Sequence, residues 1–147
     1  MEIEFKKVDI KDDAHYAQAI EVAKEIFGPN SESEITFVFK MKKPVMHLAL
    51  SNKEVVGFKA GFEDRPYRFY SSSGGVLQDF RNKGVASKLM QQQHEWCKSE
   101  GYAAVWTETK NKFVQMISLN LKNGMQIIGT YVDHRNEPKI ILEKKLL

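Results

Sequence analysis

Between Gly74 and Cys97 the sequence changes its period. "GGVLQ" is apolar and strand-like, whereas from Gly84 onward Val85, Ala86, Leu89, Met90, Trp96 and Cys97 recur at helical spacing. Gly101 then stops the helix, and "AAVWTET" reads as a buried strand. A strand, a helix and a second strand in immediate succession form a crossover, because two parallel strands cannot be joined by a tight turn. Whatever else the chain does, its sheet must contain a parallel pair with a helix packed on one face.

The remainder supplies antiparallel strands and further helices. "IEFKKVDI" alternates as a first strand, and Asp12 or Asp13 is placed to cap the helix carrying Tyr16, Ile20, Ala23 and Phe27. Gly28-Pro29 ends that helix. Ser31 and Glu34 have the spacing of a capping box, which predicts a second helix over "ITFVFKM" despite its β-branched and aromatic residues. "PVMHLALS" and "VVGFKAGFE" flank "NKE" as a hairpin, Asp64-Arg65-Pro66 turns the chain, and "RFYSSSGGVLQ" follows. "FVQMISLNLKN" reads as a helix closed by Gly124, and "MQIIGTYVD" and "KIILEKKL" are closing strands around the turn "HRNEP". The expected order is β-α-α-β-β-β-α-β-α-β-β. It describes an α+β fold: a mixed, mostly antiparallel seven-stranded sheet with helices on both faces, in one domain spanning residues 1–147.

The loop inside the crossover carries chemistry. The first turn of a helix presents free N–H groups and the positive end of the helix dipole, which together attract phosphate. Gly84 removes a side chain at the entry, and Ala86 and Ser87 keep the first turn slim. Arg81 and Lys83 add positive charge at the rim, where an arginine can grip phosphate in a fork. The segment suits a pyrophosphate, although neither G-x-x-x-x-G-K-[ST] nor G-x-G-x-x-G is present. Taken alone, Arg-x-x-Gly-x-Ala also describes an ordinary helix start with solvated basic side chains.

Other classes fit less well. A net charge of +3 suits an anionic small ligand but not a nucleic-acid surface, and no basic stripe interleaved with aromatics appears. The single cysteine, Cys97, excludes an internal disulfide and agrees with a cytoplasmic location. "MEIEFKKVDI" lacks the features of a signal peptide, and no apolar run is long enough to span a membrane. His15, His47, His94 and His134 lie on separate elements without ligand spacing, so no metal is expected.

"VLQDFRNKGVASKLM" resembles the phosphate-loop segment of GNAT-type N-acetyltransferases, and "NKFVQMISLNLKNGM" resembles that family's final helix. The element order is similar over essentially the whole chain. The resemblance implies acetyl-CoA as co-substrate and acyl transfer to an amine, most simply acetyl transfer to a primary amine of a small molecule or protein, by a monomer or homodimer. It implies that backbone amides of Arg81, Asn82, Lys83, Gly84, Val85 and Ala86 hold the pyrophosphate, with the Ser87 hydroxyl assisting. Val76 and Leu77, at the end of a strand that splays from its neighbour, would pair with pantetheine amides, and one of their N–H groups would stabilise the oxyanion. Gly74-Gly75 is compatible with a bulge and close ligand approach, or with a plain twisted strand. Asn111 either binds pantetheine or caps the last helix, and Phe113 and Met116 either flank the cofactor or pack in the core.

The catalytic groups are less defined. Family members usually carry a tyrosine acid in the final helix, four residues before its terminal glycine. Asn120 stands there, able to hydrogen-bond sulfur or carbonyl but not to protonate a thiolate. Tyr131 is the substitute acid by proximity in the fold. Glu63, Tyr70 and Glu108 are the candidates for the base, Glu108 because its strand is apolar enough to raise its pKa. The lack of a clear acid and base leaves a rival reading, a GNAT-fold module that binds acyl-CoA without catalysis.

Overall fold

The computed structural model describes residues 2–11 and 13–147. Strands are β1 Glu4–Val8, β2 Lys42–Ser51, β3 Glu54–Arg65, β4 Arg68–Val76, β5 Ala104–Lys110, β6 Gln126–Val132 and β7 Pro138–Lys145. Helices are α1 Ala14–Phe27, α2 Glu32–Val38, α3 Val85–Ser99 and α4 Val114–Lys122. Single 3₁₀ turns at Pro29–Ser31 and Gln78–Phe80 precede α2 and the loop before α3. The element order is the one expected.

One seven-stranded sheet runs β1-β2-β3-β4-β5-β7-β6. Every neighbouring pair is antiparallel except β4–β5. Helices α1 and α2 cover one face, where Ala19, Ile20, Ile35 and Val38 pack on Met46, Leu48, Phe58 and Phe62. Helix α3 covers the other, placing Val85 and Leu89 against Ala49, Val56 and Val76, and Cys97 against Phe69 and Val105. Each fully buried aliphatic or aromatic side chain contributes about 1.5–3 kcal/mol. Helix α4 shares the α3 face, with Ile117 on Ile140 and Leu142.

Local details depart from the sequence reading. Asp13 caps α1 by accepting from the His15 N–H at 2.8 Å; Asp12, the other nominee, lies outside the described residues. Ser31 forms no capping box. Its hydroxyl turns back to the Gly28 carbonyl at 2.8 Å, because the preceding 3₁₀ turn already holds it in a helical conformation. Helix α2 is nonetheless formed. Strand β3 continues through Arg65, so the turn falls on Pro66 and Tyr67, with Tyr67 at φ 68°. The α3 face is less apolar than its pattern suggested, since Gln93 and His94 are buried within it.

Candidate active site

The parallel pair is short. Arg68, Phe69 and Tyr70 pair with Ala104, Val105 and Trp106, and there the ladder stops. At the fork the Thr107 hydroxyl donates to the Ser71 carbonyl at 2.7 Å. The register of β4 against β3 then slips, Gly61 facing Ser71 and Ala60 facing Ser73, so Ser72 is a bulge. The bulge therefore sits two residues before the glycine pair. Gly74 and Gly75 serve close packing instead: a β-carbon would lie 3.0 Å from Lys59 Cδ at Gly74 and 3.0 Å from Ile26 Cδ1 at Gly75.

Beyond the bulge β4 and β5 part and leave a groove of about 860 Å³. Ser71 to Gly74 form one wall, Thr107 to Lys110 the other, and Phe113, Met116 and Asn120 close it from the α4 side. The Leu77 N–H donates to the Val56 carbonyl at 2.9 Å. Alternation in an antiparallel ladder then turns the polar groups of Val76 and Gly74 outward, into the groove. Leu77 is thus excluded as an oxyanion donor, its amide being spent in the sheet. Val76 keeps its N–H, while its carbonyl accepts from Arg81 Nε at 2.8 Å.

At one end of the groove lies the loop. Asn82 and Gly84 are left-handed, at φ 62° and 80°, a conformation that aims successive N–H groups at a common point. The first bond of α3 runs from the Lys88 N–H to the Gly84 carbonyl, 3.0 Å. The amides of Val85, Ala86 and Ser87 therefore precede any helical partner. No atom lies within 4 Å of a β-carbon built at Gly84, so the cup is open. Two expectations are corrected here. The Arg81 side chain is anchored through Nε to β4, which leaves only its outer nitrogens for an anion. The Ser87 hydroxyl faces away, engaged with Asn123 of the α4 end: Asn123 Nδ2 donates to it at 3.1 Å. Asn123 is itself tied to Lys144, whose Nζ donates to the Asn123 carbonyl at 2.9 Å.

At the other end stand Glu34 and Glu108, while Phe27 lies against Gly75. Glu108 Oε2 accepts from the Tyr131 hydroxyl at 2.9 Å, and this bond raises the tyrosine pKa. Tyr70 stacks on Trp106, ring centroids 4.5 Å apart. Burial pushes its hydroxyl up to about 12, with Glu108 and Tyr131 adding to the shift. Three sequence candidates, Tyr70, Glu108 and Tyr131, thus come together. Glu63 does not join them. It is buried at the far end of β3, where Lys42 at 3.1 Å and Lys43 at 3.8 Å pair with it. Burial raises its pKa, but Lys42, Tyr102 and Lys43 outweigh that and hold it below the usual value. Asn111 is exposed beside the groove and caps nothing: its N–H bonds the Pro138 carbonyl at 3.0 Å, and α4 starts without a side-chain cap.

Asn120 is 1 % exposed, and its Oδ1 has no hydrogen-bond partner among the described residues. Lys59 also lines the groove and was missed in the sequence, because a lysine in an alternating strand reads as a solvated position. Burial lowers its pKa to about 8. Gln93 and His94 were missed likewise; both amide atoms of Gln93 and both ring nitrogens of His94 are buried without partners among the described residues. Among the described residues there is no group of His, Cys, Asp or Glu placed to hold a metal, and no helix is long and apolar enough to cross a membrane.

Solved structures share this fold at low identity. An IAA acetyltransferase from Bacillus cereus is 18% identical with a TM-score of 0.78, covering 99% of this chain and 100% of that one. The ribosomal-protein-S18-alanine N-acetyltransferase of Escherichia coli is 15% identical, TM-score 0.81, covering 99% and 94%. The aminoglycoside 6'-N-acetyltransferase of Enterococcus faecium is 13% identical, TM-score 0.83, covering 98% and 97%. No curated protein sequence matches significantly. The sequence model of the acetyltransferase (GNAT) family matches residues 14–125, the span that runs from α1 through the splayed strands to the end of α4, and the chain belongs to that family.

Proposed function

We propose that the protein transfers an acetyl group from acetyl-CoA to a primary amine of a small molecule or protein, by direct attack on the thioester. The observation that carries this reading is the cup of unbonded amides from Asn82 to Ser87, at the mouth of the groove between β4 and β5. The diphosphate sits on those amides, with Lys83 and the outer nitrogens of Arg81 at its rim. Pantetheine lies along β4 and pairs with the outward groups of Val76 and Gly74. Of the two oxyanion donors nominated in the sequence, Leu77 is spent in the sheet and Val76 holds pantetheine, four residues short of the bulge at Ser72. Asn120 offers its free carbonyl oxygen to an amide N–H of the same chain.

The acceptor enters from the end bearing Glu34 and Glu108. An alkylamine has a pKa near ~10 and arrives as its ammonium, which two carboxylates attract. Glu108, oriented by Tyr131, takes a proton from it, directly or through one water. The freed nitrogen attacks the carbonyl, the C–N bond forms, the C–S bond breaks, and the nitrogen, cationic after the attack, gives its second proton to water as the amide forms.

Calorimetry with CoA tests the first half of this reading, and thiol release from acetyl-CoA across a panel of amines tests the second. Saturable binding with release on at least one amine supports it. Binding without release on any amine would favour the non-catalytic module, and no binding would remove both.

A further inference from the structure

Resting on that reading, we propose that Lys59 is the acid of the reaction and hands its proton to the departing thiolate. Asn120 holds the family's usual acid position and has no proton to give, so the role is vacant. Four cations line the groove: Lys59, Arg81, Lys110 and Lys112. Arg81 is anchored to the Val76 carbonyl, and Lys110 and Lys112 pair with Glu137 at 3.3 and 3.4 Å. Lys59 is half-buried, and among the described residues no carboxylate pairs with it to offset the effect of burial.

Its placement is specific. Lys59 faces Gly74 across the β3–β4 ladder, and its stem lies over that glycine, where a side chain would meet Cδ at 3.0 Å. The lysine therefore crosses β4 only because residue 74 is glycine, and it reaches the opened edge two residues from the Ser72 bulge. This is the middle of the groove, between the amide cup and the Glu34–Glu108 end, a groove that Asn120 also lines. The strand from Val76 to Ser72 spans about 13 Å, so a chain laid along it from the loop brings its far end to this point.

The surroundings keep the ammonium acidic without neutralising it. His47 is its cross-strand neighbour and His94 packs from α3; burial lowers their pKa values to about 4 and about 3, so both are neutral. A lysine near pH 8 matches a thiol of pKa about 8.5, the condition for efficient proton transfer. The step balances. The C–S electron pair stays on sulfur, sulfur takes one proton from Lys59 Nζ, and the neutral amine regains a proton from water after the thiol leaves.

The test titrates the thiol of CoA bound to the intact protein, read by ultraviolet thiolate absorbance. Beside an ammonium, the thiol ionises about one pH unit or more lower than in Lys59→Met, and Lys59→Arg retains the low value. Equal thiol titrations in wild type and Lys59→Met, with equal CoA affinity, would overturn the role of Lys59 and leave the coenzyme site standing. Failure of wild type to bind CoA would instead remove the coenzyme reading itself. Should Lys59→Met not fold, reductively methylated wild type answers by NMR: the Lys59 titration shifts upward when CoA is added. An unchanged Lys59 titration with CoA bound would also overturn the proposal.

Discussion

The Tyr131 hydroxyl donates to Glu108 Oε2 at 2.9 Å, joining β6 to β5 across the intervening β7. A tyrosine nominated as acid and a glutamate nominated as base are therefore one unit. Its proton lies on the tyrosine side, since the bond raises the phenol pKa further. Glu108→Gln is expected to cut kcat/KM for an amine acceptor by about 100-fold. Tyr131→Phe, which removes only orientation, is expected to cost about tenfold. Steady-state rates decide it: an unaltered kcat/KM in Glu108→Gln would assign the base elsewhere, with Glu34 next in position.

Gly84 combines a left-handed backbone with an open space where a β-carbon would stand. Gly84→Glu therefore meets no steric clash but carries about 1–2 kcal/mol of backbone strain. It also aims a carboxylate at the amide cup. The expected result is a folded protein with Tm lowered by a few degrees and CoA affinity weakened by about two orders of magnitude. Gly84→Ala carries the same strain without the charge and should lose far less affinity. Equal calorimetric losses in both variants would mean that strain, not phosphate repulsion, is being measured.

The same loop contains a residue expected to be silent in binding. Ser87 and Asn123 exchange hydrogen bonds at 3.1 and 3.3 Å, fastening the start of α3 to the end of α4. Ser87→Ala should lower stability by about 1 kcal/mol in denaturant titration while CoA affinity stays within about twofold. A tenfold loss of affinity with unchanged stability would return the hydroxyl to the phosphate.

The architecture was legible because it rests on periodicity. The 3.6-residue repeat of α3 buries one stripe, and the long apolar runs of β2 and β3 are buried on both faces, so helices must cover the sheet on either side. The amide cup was legible too, since a glycine before slim residues is a statement about backbone, and backbone needs no partner from elsewhere in the chain. What the sequence could not disclose depends on long-range register. Ser87 and Asn123 are thirty-six positions apart, and their pairing follows from how two crossovers stack. Glu63 and Glu108 look equivalent as strand glutamates; only the sheet order puts one beside Lys42 and the other at the fork. Lys59 was hidden for a subtler reason. Its burial is created by Gly74 on the next strand and by α3 above it, neither of which changes the polar look of "FKAG".

His47 and His94 give the fold a pH dependence of known sign. Both imidazoles are buried, 5% and 4% exposed, and burial lowers their pKa values to about 4 and about 3. For His94 the cations Lys144 and Lys59 reinforce the shift, and for His47 Lys7 does. In the unfolded chain the same groups titrate near ~6.5. Between that value and about 4 the unfolded state binds protons that the folded state refuses, so stability is full above pH 6.5 and is lost as pH falls. Each histidine contributes a slope of about 1.4 kcal/mol per pH unit in this window. The slope precedes the loss from Glu63, whose lowered carboxyl pKa acts only at more acidic pH. Urea titrations between pH 6 and 5 should show both contributions, and His94→Leu should remove about half of the slope. A His94→Leu protein whose stability falls with pH as steeply as wild type would show that the imidazole takes up its proton without unfolding, through an opening of α3 to water.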